Sequence, residues 1–284
     1  MELPRPTTVR AALVAATQAL RPVSTTPSVD AEVLLRHVTG LTRTDVLALP
    51  ARALPDATCA AFATLIERRL RGEPVAYLTG RREFWSLDLA VSSATLIPRP
   101  ETELLVERAL ARIAPEADAT IVDLGTGCGA IALAIAHERR RARLIAIDSS
   151  EAALAVARAN AKQLDIGNIE FRLGDWLAPL HGHRVDVIVS NPPYVRDDDP
   201  HLQQGDPRFE PRAALAAGVD GLDAIRRITG TASKYLVPGG WLLLEHGHDQ
   251  VNEVRAIFEQ AGFRQVCAYE DLTGHTRVTE GRAA

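Results

Sequence analysis

Apolar residues in the first part of the chain recur at helical spacing. Val9, Leu13, Ala16 and Leu20 fall three or four apart, and Pro22 breaks the run. Ser28 is placed to cap a second helix carrying Ala31, Leu34, Leu35 and Val38, which Gly40 ends. A longer helix is predicted from about Asp56 to Arg71, with Ala60, Ala63, Leu65, Ile66 and Leu70 on its apolar face and Gly72 as its stop. From Glu83 the period shortens. Phe84, Leu87, Leu89 and Val91 alternate as in short strands, and a hairpin is expected there. Pro98 and Pro100 then flank Arg99, and a further helix is predicted over Glu101–Ile113.

Beyond Ala119 strands and helices alternate. Strands are predicted at Thr120–Leu124, Leu144–Ile147, Ile169–Leu173, Val185–Ser190, Gly240–Glu245 and Arg264–Tyr269. That order implies an α/β fold: a mostly parallel, Rossmann-like sheet covered by helices on both faces. Three regions are therefore expected: a small helical domain over 1–80, a hairpin linker over 81–100, and the sheet domain over 101–284. Ligands in such sheets bind at the carboxyl ends of the strands, and the candidate chemistry gathers there.

The first sheet strand ends in Gly125-Thr126-Gly127-Cys128-Gly129 and leads into the apolar helix Ala130–Ala136. Glycines let backbone approach a ligand closely, and a helix start offers free N–H groups. No Lys-Ser or Lys-Thr follows, which rejects a nucleotide-triphosphate loop, and the G-x-G-x-G spacing differs from that of a dinucleotide site. Asp148 ends the second strand, where a carboxylate can accept from ribose hydroxyls or cap the helix that follows. The third strand ends in Gly174-Asp175-Trp176. Asp175 can accept an adenine amine, and Trp176 can pack on a base.

The fourth strand runs into Asn191-Pro192-Pro193-Tyr194. An amide or aromatic amine nitrogen is a weak nucleophile because its lone pair is delocalised. The Asn191 side-chain carbonyl and the Pro192 backbone carbonyl supply two acceptors for its N–H groups. Two prolines stiffen the loop that holds them, and Tyr194 offers a flat face to a planar group. This identifies Asn191, Pro192 and Tyr194 as catalytic candidates, and Asn191 through Tyr194 as the substrate-binding run.

These strand-end motifs in series resemble the class I S-adenosylmethionine methyltransferases. Further segments narrow the resemblance to the peptide-chain-release-factor glutamine methyltransferases. They include Gly72-Glu73-Pro74-Val75-Ala76-Tyr77-Leu78-Thr79-Gly80, Glu83-Phe84-Trp85 and Leu96 through Glu103. Phe209 through Leu215, Gly218-Val219-Asp220-Gly221-Leu222 and Leu244-Glu245-His246-Gly247 belong with them. The likeness spans about Arg71 to Arg277. It implies S-adenosylmethionine as cofactor, held by Gly125 through Gly129, Asp148, Asp175, Trp176 and Asn191. It implies peptide chain release factors as protein substrate, with N5-methylation of the glutamine in a Gly-Gly-Gln motif. In this family a small hydroxyl residue often stands where Cys128 does.

Composition changes little of this picture. The 284 residues are 46% hydrophobic and 24% charged, with a formal net charge of -4, which weighs against a nucleic-acid amino-methyltransferase. Two arginine clusters, Arg68/Arg69/Arg71/Arg81/Arg82 and Arg139/Arg140/Arg141/Arg143, read as solvated helix ends. Asparagine-proline loops also serve DNA and ribosomal RNA methylation, so that alternative stays open, with a nicotinamide-dependent oxidoreductase and a non-catalytic scaffold as more remote ones. Cys59, Cys128 and Cys267 show no Cys-x-x-Cys spacing, and His246 and His248 have no third ligand in register, so no metal is expected. Met1 to Arg10 lacks a signal-peptide core, and Ala130–Ala136 is far too short to span a membrane. A cytoplasmic protein without membrane contact is expected.

Overall fold

The computed structural model describes residues 7–284, so most of the Met1–Arg10 stretch read above lies outside the described residues. The chain divides at Gly80 into two compact units. The first is helical: α1 (Val9–Leu20), α2 (Pro27–Thr39), α3 (Arg43–Ala48), α4 (Asp56–Leu70) and α5 (Val75–Thr79). Its core gathers Leu20, Leu34, Leu35, Phe62 and Ile66, all fully buried. Helix α2 starts one residue before the expected cap. Thr26 occupies the N-cap and Pro27 the first turn, where the fixed φ of proline suits a helix start. Short α3 was not anticipated. It is held by a capping box in which Thr42 and Asp45 satisfy each other's backbone N–H.

The second unit opens with the hairpin β1 (Arg81–Phe84) and β2 (Leu87–Ala90). Its two-residue turn, Trp85-Ser86, has both residues left-handed (φ 53° and 58°) without a glycine or asparagine. Two contacts hold Trp85 there: its backbone N–H donates to Glu103 Oε1 at 2.9 Å and its indole N–H to Glu138 Oε1 at 3.0 Å. The hairpin is not a free linker. Asn160, fully buried on α8 (Glu151–Gln163), accepts from Ala90 N at 2.7 Å and donates to Ala90 O at 3.0 Å.

After α6 (Glu103–Arg112) comes the seven-stranded sheet. Its strands are β3 (Thr120–Leu124), β4 (Arg143–Asp148), β5 (Ile169–Leu173), β6 (Val185–Ser190), β7 (Leu236–Glu245), β8 (Arg264–Glu270) and β9 (Thr276–Arg282). They lie in the order β5-β4-β3-β6-β7-β9-β8, with β9 antiparallel to both neighbours and β5 through β7 mutually parallel. Helices α7 (Ala130–Glu138), α8, α9 (Asp223–Ala232) and α10 (Val251–Gln260) complete the crossovers. The order reverses between β3 and β6, so the loops after these two strands leave the sheet side by side.

Strand β9 escaped the sequence reading because Thr276-Arg277-Val278-Thr279-Glu280-Gly281-Arg282 looks polar. Its Glu280 is fully buried beside Arg112, with Arg108 at 3.5 Å and the Tyr269 hydroxyl donating at 2.7 Å. The arginine clusters are also more committed than expected. Arg69 is largely buried against Asp30 at 2.8 Å, Arg81 pairs with Asp88, Arg141 with Asp118 and Arg143 with Glu170.

The Glu280 cluster yields a stability prediction. Arg112→Leu removes one partner of a buried carboxylate. It is expected to lower the unfolding free energy by about 3 kcal/mol, the low end for a broken buried pair, because Arg108 and Tyr269 remain. Urea denaturation at neutral pH measures it, and a loss below about 1 kcal/mol would show that β9 does not depend on this pair.

Candidate active site

Strands β3 and β6 end level, with Leu124 opposite Ser190. The buried Ser190 hydroxyl donates to the Leu124 carbonyl at 2.7 Å and locks the two strand ends. At this end of the sheet lies a cavity of about 320 Å³. Gly125, Gly127, Asp148, Trp176, Asn191 and Pro193 line it, together with the exposed Asp175, residues 94–96, and Pro211, Ala213 and Ala214.

The glycine loop divides into two roles. Gly125 and Gly127 are left-handed (φ 70° and 58°) and face the cavity. A Cβ on Gly127 would meet nothing within 4 Å, and one on Gly125 only Trp176 at 3.9 Å. Both positions thus leave space that a ligand can occupy against bare backbone. Thr126, Cys128 and Gly129, expected at the cofactor, are not brought to the cavity wall. The buried Thr126 hydroxyl donates to Asp123 Oδ2 at 2.6 Å. The Cys128 carbonyl accepts from Asn160 Nδ2 at 2.9 Å, and burial pushes its thiol up to about 12. A Cβ on Gly129 would press on Leu133 at 2.9 Å and Ala157 at 3.2 Å. These three residues shape the loop from behind, by fixing its turn and its packing on α7 and α8.

Asp148 serves as a brace as well as a wall. Its Oδ2 accepts from Gly127 N and its Oδ1 from Ser150 N, both at 2.9 Å, while Ser150 itself caps α8. Each carboxylate oxygen retains a lone pair for a hydroxyl in the cavity. Asp175 is exposed and paired with Arg227. Trp176 is left-handed (φ 47°), which turns its ring over Gly125.

A second cavity, about 50 Å³, adjoins the first and is lined by Leu96, Arg99, Asn191, Pro192, Tyr194 and Leu215, among others. Asn191 is on the wall of both cavities. Its Nδ2 donates to Thr102 Oγ1 at 3.1 Å. The Tyr194 hydroxyl donates to Oε1 of Glu245, a fully buried carboxyl at the end of β7, at 3.2 Å. Burial raises Glu245 to about 7, against the Thr102 and Tyr194 hydroxyls that pull it down. Burial beside Glu245 pushes the Tyr194 phenol far above its usual range, so it stays neutral and donates.

Several residues that hold the site had no role assigned from sequence, although Glu210 and Gly221 fall in the quoted motifs. Glu210 is buried and bridges two loops, accepting from Ile97 N at 3.0 Å and from Arg99 Nη2 at 2.6 Å. Val195 N donates to Leu215 O and Ala217 N to Val195 O, both at 2.9 Å, so the same segment is stitched to the asparagine loop. Gly221 is left-handed (φ 74°), and any Cβ there would collide with the Tyr194 carbonyl. Gln250 Nε2 donates to that carbonyl at 3.0 Å. Asp123 lies beneath the glycine loop, raised to about 7 by its complete burial. His246 spends its ring nitrogens on Gly247 O and Thr279 Oγ1, each at 2.8 Å. Among the described residues no cluster of potential metal ligands is present, and no helix is long and apolar enough to cross a membrane.

Comparison with known proteins adds two family matches. A model described as the PrmC N-terminal domain matches residues 11–80, and one described as the methyltransferase small domain matches residues 100–206. The release factor glutamine methyltransferase of Escherichia coli is 51% identical over 259 residues, 91% of this chain and 93% of its own. That of Vibrio cholerae is 48% identical over 277 residues, 97% of this chain and 96% of its own. Among solved structures, a Pyrococcus furiosus methyltransferase aligns with TM-score 0.53 at 16% identity, covering 78% of this chain and 98% of that one. A T. thermophilus 16S rRNA methyltransferase in complex with AdoMet and guanosine aligns with TM-score 0.53 at 19% identity, over 72% of this chain and 50% of that one. At such identities the likeness is one of fold.

The two roles of the glycine loop separate experimentally. Gly127→Val projects a side chain into the larger cavity and should abolish binding of S-adenosylmethionine in calorimetry while costing only about 1–2 kcal/mol of stability for the left-handed backbone. Gly129→Val should instead lower the melting temperature sharply by wedging apart the loop, α7 and α8. Equal cofactor affinity in wild type and Gly127→Val would remove the ligand from this loop.

Proposed function

The chain belongs to the release factor glutamine methyltransferase family, and from that premise we infer that it transfers a methyl group from S-adenosylmethionine to the side-chain amide nitrogen of the glutamine in the Gly-Gly-Gln motif of peptide chain release factors, giving N5-methylglutamine. The observation that carries the reading at the site is the place of Asn191, shared by the cofactor-sized cavity and the small one beside it. A room of about 50 Å³ beside Asn191, Pro192 and Tyr194 suits one side-chain amide better than a nucleobase with its ribose.

The larger cavity fits the cofactor on its own geometry. Gly125 and Gly127 leave the space that a Cβ would fill, Asp148 presents carboxylate oxygens suited to ribose hydroxyls, and Trp176 offers an aromatic face. Asp175, which also lines the cavity, can accept the adenine amine. Thr126, Cys128 and Gly129 contribute by shaping the loop. The cofactor, when bound, supplies an already activated methyl group on a sulfonium.

The chain's own work is to hold and polarise the nucleophile. Asn191 gives Nδ2 to Thr102, which leaves its carbonyl to accept one amide N–H of the substrate. The buried Pro192 presents a backbone carbonyl to the other, on a loop whose φ angles are fixed by two prolines. Both acceptors draw on the N–H bonds and return electron density to nitrogen as the new bond forms. Tyr194 packs its ring beside the amide and keeps water away. Once the methyl is attached the nitrogen is acidic, and its proton passes to solvent water as the product leaves, which restores the neutral amide.

The helical unit, residues 1–80, carries no comparable chemistry, and we propose that it helps dock the release factor. An isolated 81–284 unit should bind S-adenosylmethionine normally and methylate release factor with kcat/KM lowered about tenfold or more, corresponding to roughly 1.4 kcal/mol of lost docking energy. A well-folded 81–284 unit with full kcat/KM would sink the idea.

The reading as a whole is tested by incubating the enzyme with labelled S-adenosylmethionine and purified release factor, then mapping the modified residue by mass spectrometry. Within it, Asn191→Ala removes one preorganised acceptor and should lower single-turnover methyl transfer about 10²–10³-fold with little change in stability. Asn191→Asp keeps an acceptor but brings a negative charge beside a centre whose positive charge is dispersing, so its rate should fall even where the cofactor binds tightly. Wild-type transfer by Asn191→Ala at saturating cofactor and substrate would rule out Asn191 as the activating acceptor.

A further inference from the structure

We propose that Arg99, anchored by Glu210, is a substrate-binding residue whose guanidinium donates to a main-chain carbonyl of the glutamine segment as the side-chain amide enters the small cavity. The inference deepens the proposed function and rests on the reading of that cavity as the seat of the substrate amide.

A room of about 50 Å³ holds an amide group and little more. The main chain that carries the glutamine therefore stays at the mouth, where it gives up water to the walls. A peptide carbonyl stripped of water needs a donor, or its burial weakens binding. Several donors on the wall are already spent. The backbone N–H groups of Val195 and Ala214 donate to the carbonyls of Leu215 and Pro211 at 2.9 Å, and that of Leu215 to Arg212 at 3.0 Å. Asn191 directs Nδ2 to Thr102, and Tyr194 gives its hydroxyl hydrogen to Glu245. Pro192 has no N–H to give.

Arg99 differs from these. Of the residues on that wall it alone is charged. Its guanidinium carries several N–H groups in one plane. Nη2 donates to Glu210 Oε2 at 2.6 Å, and among the described residues the other N–H groups of the guanidinium have no acceptor. The Arg99 side chain is 25% exposed, whereas that of Glu210 is not exposed at all. One arm of the fork is thus tied down inside the protein, and the rest is left to a ligand.

The anchor itself is fixed. Glu210 accepts from Ile97 N at 3.0 Å on its other oxygen, which sets the direction of Oε2. Pro98 and Pro100 flank Arg99 and restrict the backbone on either side of it. The Arg99 carbonyl accepts from Thr102 N at 3.1 Å. Thr102 is also the residue that holds Asn191, so one short segment sets both a donor and an acceptor for the substrate.

The chemistry favours a main-chain carbonyl over the oxygen of the reacting amide. As nitrogen takes the methyl group its lone pair leaves conjugation, and the amide oxygen loses negative charge. A guanidinium on that oxygen would stabilise the starting amide more than the transition state and would slow transfer. The charge on a main-chain carbonyl does not change during the reaction. The same contact there tightens binding and leaves the chemical step alone.

Two small amides test this on the full-length ¹⁵N-labelled enzyme with S-adenosylhomocysteine bound. Propionamide carries the side-chain amide alone, and N-acetylglutamine N-methylamide adds the main-chain carbonyls. Titrations followed by chemical shift should show wild type binding the second about tenfold more tightly, the scale of one hydrogen bond from a charged donor. Arg99→Met should erase that preference and leave propionamide affinity within about twofold. Combining Arg99→Met with Glu210→Gln should give the same result. That pair removes the buried charge together with its partner, so it decides the matter if the single variant fails to fold. With release factor, Arg99→Met should raise KM about tenfold at unchanged kcat. An undiminished preference in the variants, an equal loss of both amides, or a fall in kcat at unchanged KM would overturn the proposal. Equal loss is the result that a merely structural role, or a contact to the side-chain oxygen, would give. If wild type leaves release factor unmethylated while the preference between the two amides still follows Arg99, the functional reading fails and the binding role stands.

Discussion

Where β3 and β6 end, the Ser190 hydroxyl is bonded to the Leu124 carbonyl, and the site depends on that lock. A parallel sheet fixes the register of neighbouring strands, and the reversal of strand order here leaves a gap between two diverging loops. One loop is rich in glycine and yields space to a ligand. The other is stiffened by two prolines and presents carbonyl acceptors. A shift of one residue in the β3–β6 register would move these loops by about 3.3 Å relative to each other. That is more than the tolerance of a methyl transfer, which needs the reacting atoms about 3–3.5 Å apart and aligned. Fully buried Val122, Leu124, Ile188 and Leu242 fix the same register through side-chain packing.

Loops at such a place must be rigid without regular hydrogen bonding, and this chain achieves it with carboxyl groups. Asp148 binds two backbone N–H groups, one of them in the glycine loop. Asp123 holds Thr126 from beneath. Glu210 joins the segment of Ile97 and Arg99 to the one that continues into Pro211, and Glu245 holds Tyr194. Burying these groups is unfavourable, and for Asp123 and Glu245 complete burial outweighs the hydrogen bonds they accept, so both are raised to about 7. In Glu210 the Arg99 guanidinium and the Ile97 N–H work against the same burial. A hydrogen-bonded carboxyl in a dry setting is strong and directional, which suits loops that must not drift.

Much of this was legible in the sequence, for reasons that vary by element. Strands β3 and β6 were placed to the residue because mostly apolar runs between turn residues carry a clear signal, and β5 because Ile169, Phe171 and Leu173 alternate with charged residues. The hairpin was legible from Phe84, Leu87 and Leu89, although its left-handed Trp85-Ser86 turn was not, since it relies on Glu103 and Glu138 far away in sequence. Strand β9 was invisible because its buried residues include Glu280, whose partners come from α6 and β8, and Thr279, whose hydroxyl meets His246 after β7. At the site, glycine, acid, tryptophan and asparagine were each found. Local motifs did not reveal which of Gly125, Gly127 and Gly129 borders the cavity. That depends on what lies opposite each missing Cβ, and for Gly129 it is Leu133 and Ala157 rather than open space.

Several of the segments quoted only for their resemblance acquire one shared physical reason in the structure, together with residues that lie outside them. Gly221 is a glycine because the Tyr194 carbonyl occupies the place of its side chain. Gln250 secures that same carbonyl, while Glu245 secures the hydroxyl at the other end of the tyrosine. Leu215 and Ala217 pair with Val195, directly after it, and Glu210 ties their segment to Arg99. Five separated stretches of chain thus converge on one turn of four residues. A polar contact to a substrate amide contributes to rate only if it is already in place when the amide arrives, because any reordering then adds to the barrier. The prolines restrict the backbone of the turn and the surrounding segments restrict its side chains, so the asparagine loop is short while the sequence needed to hold it is long.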